Sequence, residues 1–124
     1  MLTLRENQFT GHIPREIGQL QNLQAIILEI NQLSSEIPSS IGNLSLMERL
    51  YLGDNKLSGA IPSSLGNLKR LSWLDLPQND LGETIPEELF NILYFSISLN
   101  FAQNHLVRWI HNSKHCNSTS SNKI

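Results

Sequence analysis

Cysteine, aromatic residues and long apolar runs are scarce in this chain of 124 residues. The single cysteine, Cys116, cannot form a disulfide within the chain, so a disulfide framework is excluded. No apolar run approaches the roughly 20 residues of a membrane-spanning helix, and charges and a proline interrupt the first 14 residues. The sequence therefore predicts no membrane segment and no secretory signal within these residues.

An excess of basic charge is also lacking, because 9 Lys and Arg stand against 11 Asp and Glu. Without a basic field, binding to nucleic acid or to anionic lipid is disfavoured. Aromatic residues make up 6% of the chain while the hydrophobic fraction is 40%, which is mostly Leu and Ile. This composition favours repeated, uniform packing in one domain.

The strongest pattern is an internal repeat of 24 residues. Isoleucine–proline pairs recur at that interval and are Ile13-Pro14, Ile37-Pro38, Ile61-Pro62 and Ile85-Pro86. Asparagines keep the same interval and are Asn7, Asn31, Asn55 and Asn79, followed after 25 residues by Asn104. A fixed period of this length indicates stacked repeats.

Each repeat has a physical logic that the third one illustrates. Leu50 and Leu52 fall on one face of a short strand because side chains alternate along it. An inward asparagine such as Asn55 can satisfy buried backbone groups of adjacent coils. Gly59 allows an unusual turn conformation, and the proline of each Ile–Pro pair sets an extended segment. We therefore expect strands near residues 26–28, 50–52 and 74–76, with Asn31, Asn55 and Asn79 buried.

The full pattern, L-x-x-L-x-L-x-x-N-x-L-x-G-x-I-P-x-x-L-G-x-L, resembles the extracellular domains of plant leucine-rich-repeat receptor-like kinases and receptor-like proteins over Leu2 to Leu106. The resemblance implies an α/β-type repeat solenoid, a horseshoe segment with a short-strand parallel sheet on the concave side and a mostly irregular or 3-10 convex side. Residues 90–101 resemble late repeats of elicitor-sensing immune receptors, which implies a role in defence.

The same resemblance implies function and partners. It predicts a non-catalytic interaction module, a fragment of a ligand-sensing domain on the extracellular side of the plasma membrane, which binds a peptide or protein ligand and a co-receptor. The kinase, membrane helix and paired-cysteine caps of that family have no counterpart in these residues. No catalytic, cofactor or metal motif appears. The alternative is a free-standing scaffold or enzyme inhibitor, which flanking sequence would distinguish.

Departures from the repeat mark its weaker parts. Ser35 and Glu83 replace the glycine before Ile–Pro, Pro77 follows a strand leucine, and Phe90 replaces the glycine of the other coils. We therefore expect the fourth coil to be the least regular. The predicted repeat domain is 1–106, and the polar remainder, 107–124, is expected to be a disordered tail. Uncapped coils at both ends are expected to expose leucines and to self-associate.

Alternation along the strands predicts the outward face of the concave sheet. Arg49, Tyr51, Trp73 and Asp75 form its most interface-like group, because aromatic residues and arginine are enriched at binding hot spots. The alternative is a solvated sheet face.

Three minor features carry weaker hypotheses. Asn43-Leu44-Ser45 and Asn117-Ser118-Thr119 fit the N-glycosylation pattern at Asn43 and Asn117. His111, His115 and Cys116 offer metal-binding atoms but fall short of a four-ligand zinc site. The adjacent Glu87 and Glu88 favour a solvated pair over a catalytic one.

Overall fold

The computed structural model describes residues 1–93 and 98–107. Within these ranges the strands are β1 (Leu2–Thr3), β2 (Thr10–His12), β3 (Ala25–Ile27), β4 (Gln32–Glu36), β5 (Arg49–Tyr51), β6 (Lys56–Ala60), β7 (Trp73–Asp75), β8 (Asp80–Gly82) and β9 (Ser98–Asn100). The 3-10 helices are Arg15–Gln19, Ser39–Asn43, Ser63–Asn67 and Glu87–Leu89, and the last continues into α1 (Phe90–Leu93). The predicted 3-10 convex side is confirmed.

The strands form two parallel sheets along the stack. The first sheet has the order β1-β3-β5-β7-β9 and the second the order β2-β4-β6-β8, so each full coil contributes one strand to each sheet. Strands in a sheet lie closer together than helical segments do, so the stack curves with the first sheet on its concave side. The concave strands centre at Ile26, Leu50 and Leu74, within the predicted ranges.

The second sheet was not predicted from the sequence. It lies between the asparagine and the Ile–Pro pair of each coil, as in β4 and β6. The sequence gives little signal for it, because Leu33 and Ile37 are buried while Ser35, which regular strand alternation would place on the same face, is exposed. The left-handed backbone at Ser35 interrupts the alternation.

The inward asparagines connect successive coils, as expected. The Asn55 amide nitrogen donates to the backbone oxygens of Leu28 at 3.0 Å and Leu52 at 3.1 Å, and its side-chain oxygen accepts from the Leu33 amide at 2.9 Å. Asn79 and Asn104 repeat these contacts one and two coils later. The prediction of burial holds for Asn55 and Asn79. It is wrong for Asn31, which is only half-buried because the first coil alone covers it.

The turn before each Ile–Pro pair has a left-handed backbone in all four coils. Its φ is 87° at Gly11 and 76° at Gly59, and also 66° at Ser35 and 63° at Glu83. The expectation that this conformation needs glycine is therefore corrected. Ser35 and Glu83 adopt it at a steric cost that glycine avoids.

On the convex side, glycine allows close stacking of the 3-10 helices. A Cβ at Gly42 would lie 2.5 Å from the backbone oxygen of Ser64, and one at Gly66 would lie 2.7 Å from that of Glu88. Phe90 takes the equivalent place in the fourth coil, where the 3-10 helix shortens and α1 follows. The prediction that this coil is the least regular is confirmed.

The leucine core runs through the stack but opens at the first coil. Leu50, Leu52, Leu74 and Leu76 are essentially inaccessible to solvent, as predicted. Leu4, which was expected to face the core, is 38% exposed, because it has no coil before it in the stack. Leu2 is half-buried for the same reason.

The last described coil behaves differently from the first. Leu99, Phe101 and Leu106 are buried, so the expectation that both ends expose leucines is wrong at this end. Val107 bridges Thr84. The boundary after residue 106 and the disordered tail stay predictions, because residues 108–124 lie outside the described ranges.

Candidate functional site

The four candidate residues lie together on two neighbouring concave strands. β5 carries Arg49 and Tyr51, and β7 carries Trp73 and Asp75. The pairing places Arg49 beside Trp73 and Tyr51 beside Asp75. The leucine between each pair of outward residues is buried, so the outward direction is fixed by the alternation along each strand. We call these four residues the concave strip.

The side chains of the strip differ in exposure. Trp73 is 47% exposed, and it is one of few large apolar side chains in the described residues that are so accessible. Arg49, Tyr51 and Asp75 are half-buried. The strip therefore combines an accessible aromatic surface with polar groups that have lost part of their hydration.

The columns predicted beside the strip continue across the sheet. The column that contains Tyr51 and Asp75 runs in the pairing register through Thr3, Ile27, Tyr51, Asp75 and Asn100. Outward alternation predicts a further exposed column two residues later, which comprises Arg5, Glu29, Gly53, Pro77 and Ala102. This is wrong for Gly53 and Ala102, since both are buried. A Cβ at Gly53 would lie 2.8 Å from Cδ of Pro77, so the proline ring covers this position.

Carboxylates dominate the charge around Asp75. The pKa of Asp75 is raised from its ordinary value of 3.8, mainly by burial and then by the charges of Glu29 and Asp54. Asn100 acts in the opposite direction by hydrogen bonding to the Asp75 side chain. Asp54 was missed as a neighbour of the strip, although the repeat places it directly before Asn55.

The basic groups near these carboxylates differ in whether they form ion pairs. Arg5 pairs with Glu29 at 2.9 Å and with Glu6 at 3.2 Å. Arg49 forms no ion pair or side-chain hydrogen bond with any described residue, and no basic group contributes to the pKa shift of Asp75. Asp75 therefore has an uncharged partner only.

The candidate glycosylation site at Asn43 is accessible. Asn43 ends the second 3-10 helix on the convex side, and both Asn43 and Ser45 are exposed. Leu44 between them is buried. The second candidate, Asn117, lies outside the described residues, as do His111, His115 and Cys116. Modification at either asparagine stays a prediction.

A cavity lies at the start of the stack, at the open end of the first coil. The first coil borders an open cavity of about 500 Å³ whose lining is almost entirely apolar. Leu4, Phe9 and Leu20 around it are 38%, 46% and 50% exposed. The predicted self-association is therefore expected through this end of the chain alone.

The chemistry available on the strip is that of non-covalent binding. It offers an aromatic face, a phenol, a guanidinium and a carboxylate. No member of the strip is arranged with a base as an activated nucleophile would be. In residues 1–93 and 98–107, no group of three or more His, Cys, Asp or Glu could hold a metal ion.

Comparisons with known proteins agree with this architecture. The family model for the leucine-rich repeat matches residues 21–81. A search of curated proteins found no match for the chain. With the two parallel sheets, the asparagine contacts between coils and the 3-10 convex side, the chain is a leucine-rich-repeat protein.

Solved structures specify the kind of leucine-rich-repeat protein that it resembles. One is the ectodomain of the Arabidopsis thaliana membrane receptor kinase GASSHO1/SCHENGEN3 in complex with CASPARIAN STRIP INTEGRITY FACTOR 2. It is 39% identical to this chain with a TM-score of 0.81, and the match covers 85% of this chain and 12% of that one. The Arabidopsis receptor kinase HAESA ectodomain, in complex with an IDA peptide hormone, is 40% identical with a TM-score of 0.78, over 86% of this chain and 18% of that one.

A third structure, of the BIR3–SERK2 complex from Arabidopsis thaliana, is 38% identical with a TM-score of 0.76, over 88% of this chain and 57% of that one. The chain is thus similar to ectodomains of plant receptor kinases and spans only part of their length. That ectodomain fold is non-catalytic. In the described part of this chain, no helix is long and apolar enough to cross a membrane.

Proposed function

We propose that the chain is an interaction module from the extracellular, ligand-sensing region of a plant receptor-like kinase, and that the concave strip binds a peptide or protein ligand. The observation that carries this proposal is Trp73. It is half-exposed beside Arg49, Tyr51 and Asp75, on the concave face of the first sheet. Accessible aromatic residues next to arginine are typical of binding hot spots.

The relatives support the same proposal. The GASSHO1/SCHENGEN3 ectodomain is crystallised with CASPARIAN STRIP INTEGRITY FACTOR 2, the HAESA ectodomain with an IDA peptide hormone ligand, and BIR3 with SERK2. A peptide ligand, a second receptor as partner and a place on the outer side of the plasma membrane are therefore proposed for the whole protein. No described residue favours the alternative of a free-standing scaffold or enzyme inhibitor.

Selection from a random peptide library displayed on phage tests the proposal. The full chain is immobilised and compared with the double variant Trp73→Ala, Tyr51→Ala, and with Ser63→Ala on the convex side as a matched control. We expect peptides that bind the wild type and Ser63→Ala and lose at least tenfold in affinity for the double variant, because two large contact surfaces are removed.

The outcome separates a binding face from a solvated one. If no peptide is enriched on the wild-type chain, or if enriched peptides bind the double variant equally well, the proposal is wrong. Circular dichroism of each variant first establishes that the stack is folded, so that loss of binding is not loss of structure.

A test of the extracellular placement uses Asn43. Its side chain is exposed on the convex side, away from the strip, where a glycan would not obstruct binding. When the chain is secreted from plant cells behind a signal peptide, we expect a glycosidase-sensitive mobility shift that disappears in Asn43→Gln. If Asn43→Gln retains the whole shift, Asn43 is not the modified residue.

A further inference from the structure

We propose that the concave strip selects peptides in which an arginine or lysine lies within two residues of an aromatic or large aliphatic residue. The apolar side chain packs on Trp73 and the cationic group faces Asp75. This inference rests on the proposed function and specifies the chemical class of its ligand.

Trp73 provides the apolar contact of the proposed site. It begins β7 and pairs with Arg49 on β5, and it remains 47% exposed although Leu74, the next residue of the strand, is buried. An indole of this accessibility offers a flat apolar contact that water solvates poorly. An aromatic or large aliphatic side chain of a ligand is the partner that gains most from covering it.

Asp75 provides the charged contact of the proposed site. It lies two residues after Trp73 on the same face of β7, about 7 Å away along the strand. Glu29 and Asp54 lie close enough to disfavour its ionised form, and burial disfavours it further. A cation that reached Asp75 would relieve the repulsion and replace the hydration that burial removed.

In residues 1–93 and 98–107, no basic group is paired with Asp75. Arg5 is held by Glu29 and Glu6, and Arg49 has no ion-pair partner among the described residues. The partner that Asp75 does have is the uncharged amide of Asn100, whose side-chain oxygen is occupied by the Ala102 amide. Charge complementarity therefore favours a basic ligand group over an acidic one at this end of the strip.

The spacing of the two contacts sets the spacing in the ligand. In an extended peptide, residues i and i+2 lie on one side at about the 7 Å that separates Trp73 from Asp75. A peptide with its apolar and basic residues two positions apart can reach both contacts without bending. Trp73 is 47% exposed and Asp75 is half-buried, so both side chains are accessible to such a segment.

The experiment uses the same random peptide library with three forms of the full chain: wild type, Asp75→Asn, and Glu36→Gln. Glu36 is an exposed carboxylate on β4, in the second sheet, and serves as the matched control for loss of one negative charge. We expect wild type and Glu36→Gln to enrich Arg or Lys within two positions of Trp, Phe or Leu. Asp75→Asn should keep the apolar preference and lose the basic one.

A direct measurement follows with one enriched peptide and its analogue in which citrulline replaces arginine. We expect the analogue to bind the wild type about tenfold more weakly, as the loss of a charge-assisted hydrogen bond predicts, and to bind Asp75→Asn as the parent peptide does. Equal affinity of the two peptides for the wild type would overturn the inference.

The outcomes also separate this inference from the proposed function. Enrichment of peptides without basic residues, or an unchanged basic preference in Asp75→Asn, overturns the ligand class and leaves peptide binding intact. Absence of any enrichment on the wild-type chain overturns peptide binding, and the ligand class with it.

Discussion

The first coil and the interior coils carry the same residues in very different surroundings. Leu4 is 38% exposed, whereas its equivalent Leu52, two coils later, is completely buried. Asn7 is exposed, and within the described residues its side-chain amide donates only to backbone oxygens of its own coil, at Leu4 and Arg5. Asn55 makes those local bonds and in addition joins the coil before it.

This contrast shows where the stability of the stack comes from. The left-handed φ before the asparagine is 61° at Glu6 in the first coil and 55° at Asp54 in the third, so local conformation is the same in both. What differs is the presence of a preceding coil. A coil of this type is stabilised by its neighbours more than by its own sequence.

The largest expected effect comes from a charge in the interior. Leu52→Asp should abolish the cooperative thermal transition, because an unpaired charge in a close-packed layer is costly enough to unfold the stack. Leu4→Asp, at the equivalent position of the first coil, should leave the transition nearly unchanged. Circular dichroism during heating checks both. A cooperative transition in Leu52→Asp would show that the interior coil is not the core.

The second prediction compares the loss of an asparagine from an interior coil with the loss of one from the first coil. Asn55→Ala should lower the free energy of unfolding by about 3 kcal/mol, because several buried backbone groups lose their partners at roughly 1–3 kcal/mol each. Asn7→Ala should cost much less, since water can replace its bonds. Denaturant titration measures both values, and similar losses would mean that the first coil is as well packed as the third.

A third comparison relieves backbone strain. Ile30 has a φ of 62°, which a β-branched residue rarely adopts, so Ile30→Gly should stabilise the fold by about 1 kcal/mol. Glu6→Gly, at the same position of the first coil, should increase the stability of the fold by less if that coil unfolds before the rest of the stack. The melting temperatures of the two variants test this, and an equal gain would place the first coil within the same cooperative unit.

The smallest expected effect concerns Asp75. Folding raises the pKa of Asp75 above its ordinary value of 3.8, so ionisation is less favourable in the folded chain than in the unfolded chain. The free energy of unfolding therefore falls as pH rises from below 3.8 through the raised pKa, and this fall is complete at neutral pH. Asp75→Asn should therefore be slightly more stable than wild type at pH 7 and equally stable in acid. Glu16→Gln in the first coil is the charge-matched control. A less stable Asp75→Asn at pH 7 would contradict this sign.

Much of the fold could be predicted from the sequence because it depends on a fixed period. The interval between Asn31, Asn55 and Asn79 indicates stacked coils, and Leu50-x-Leu52 places a strand to within one residue. The second sheet could not be predicted as easily, because its strands are rich in polar residues and three of the four contain glycine. The conformations of Ser35 and Glu83 depend on the coils that enclose them, which no single turn sequence specifies.

The candidate site was less predictable than the fold. Alternation along the strands indicates which residues point outward, and the register indicates that Tyr51 and Asp75 are neighbours. It does not indicate that Pro77 covers Gly53 or that Arg5 is held by Glu29. These contacts depend on side-chain packing between coils, and they determine which charges remain for a ligand.

The change of period from 24 to 25 residues has a consequence for how such proteins diversify. The extra residue lies between Pro86 and Ser98, in the segment where α1 replaces a regular 3-10 helix, while Asp75 and Asn100 still pair in register. Insertions on the outer side thus leave the inner columns aligned. Length variation and ligand specificity can evolve independently, so one surface can be altered or engineered while the other is preserved.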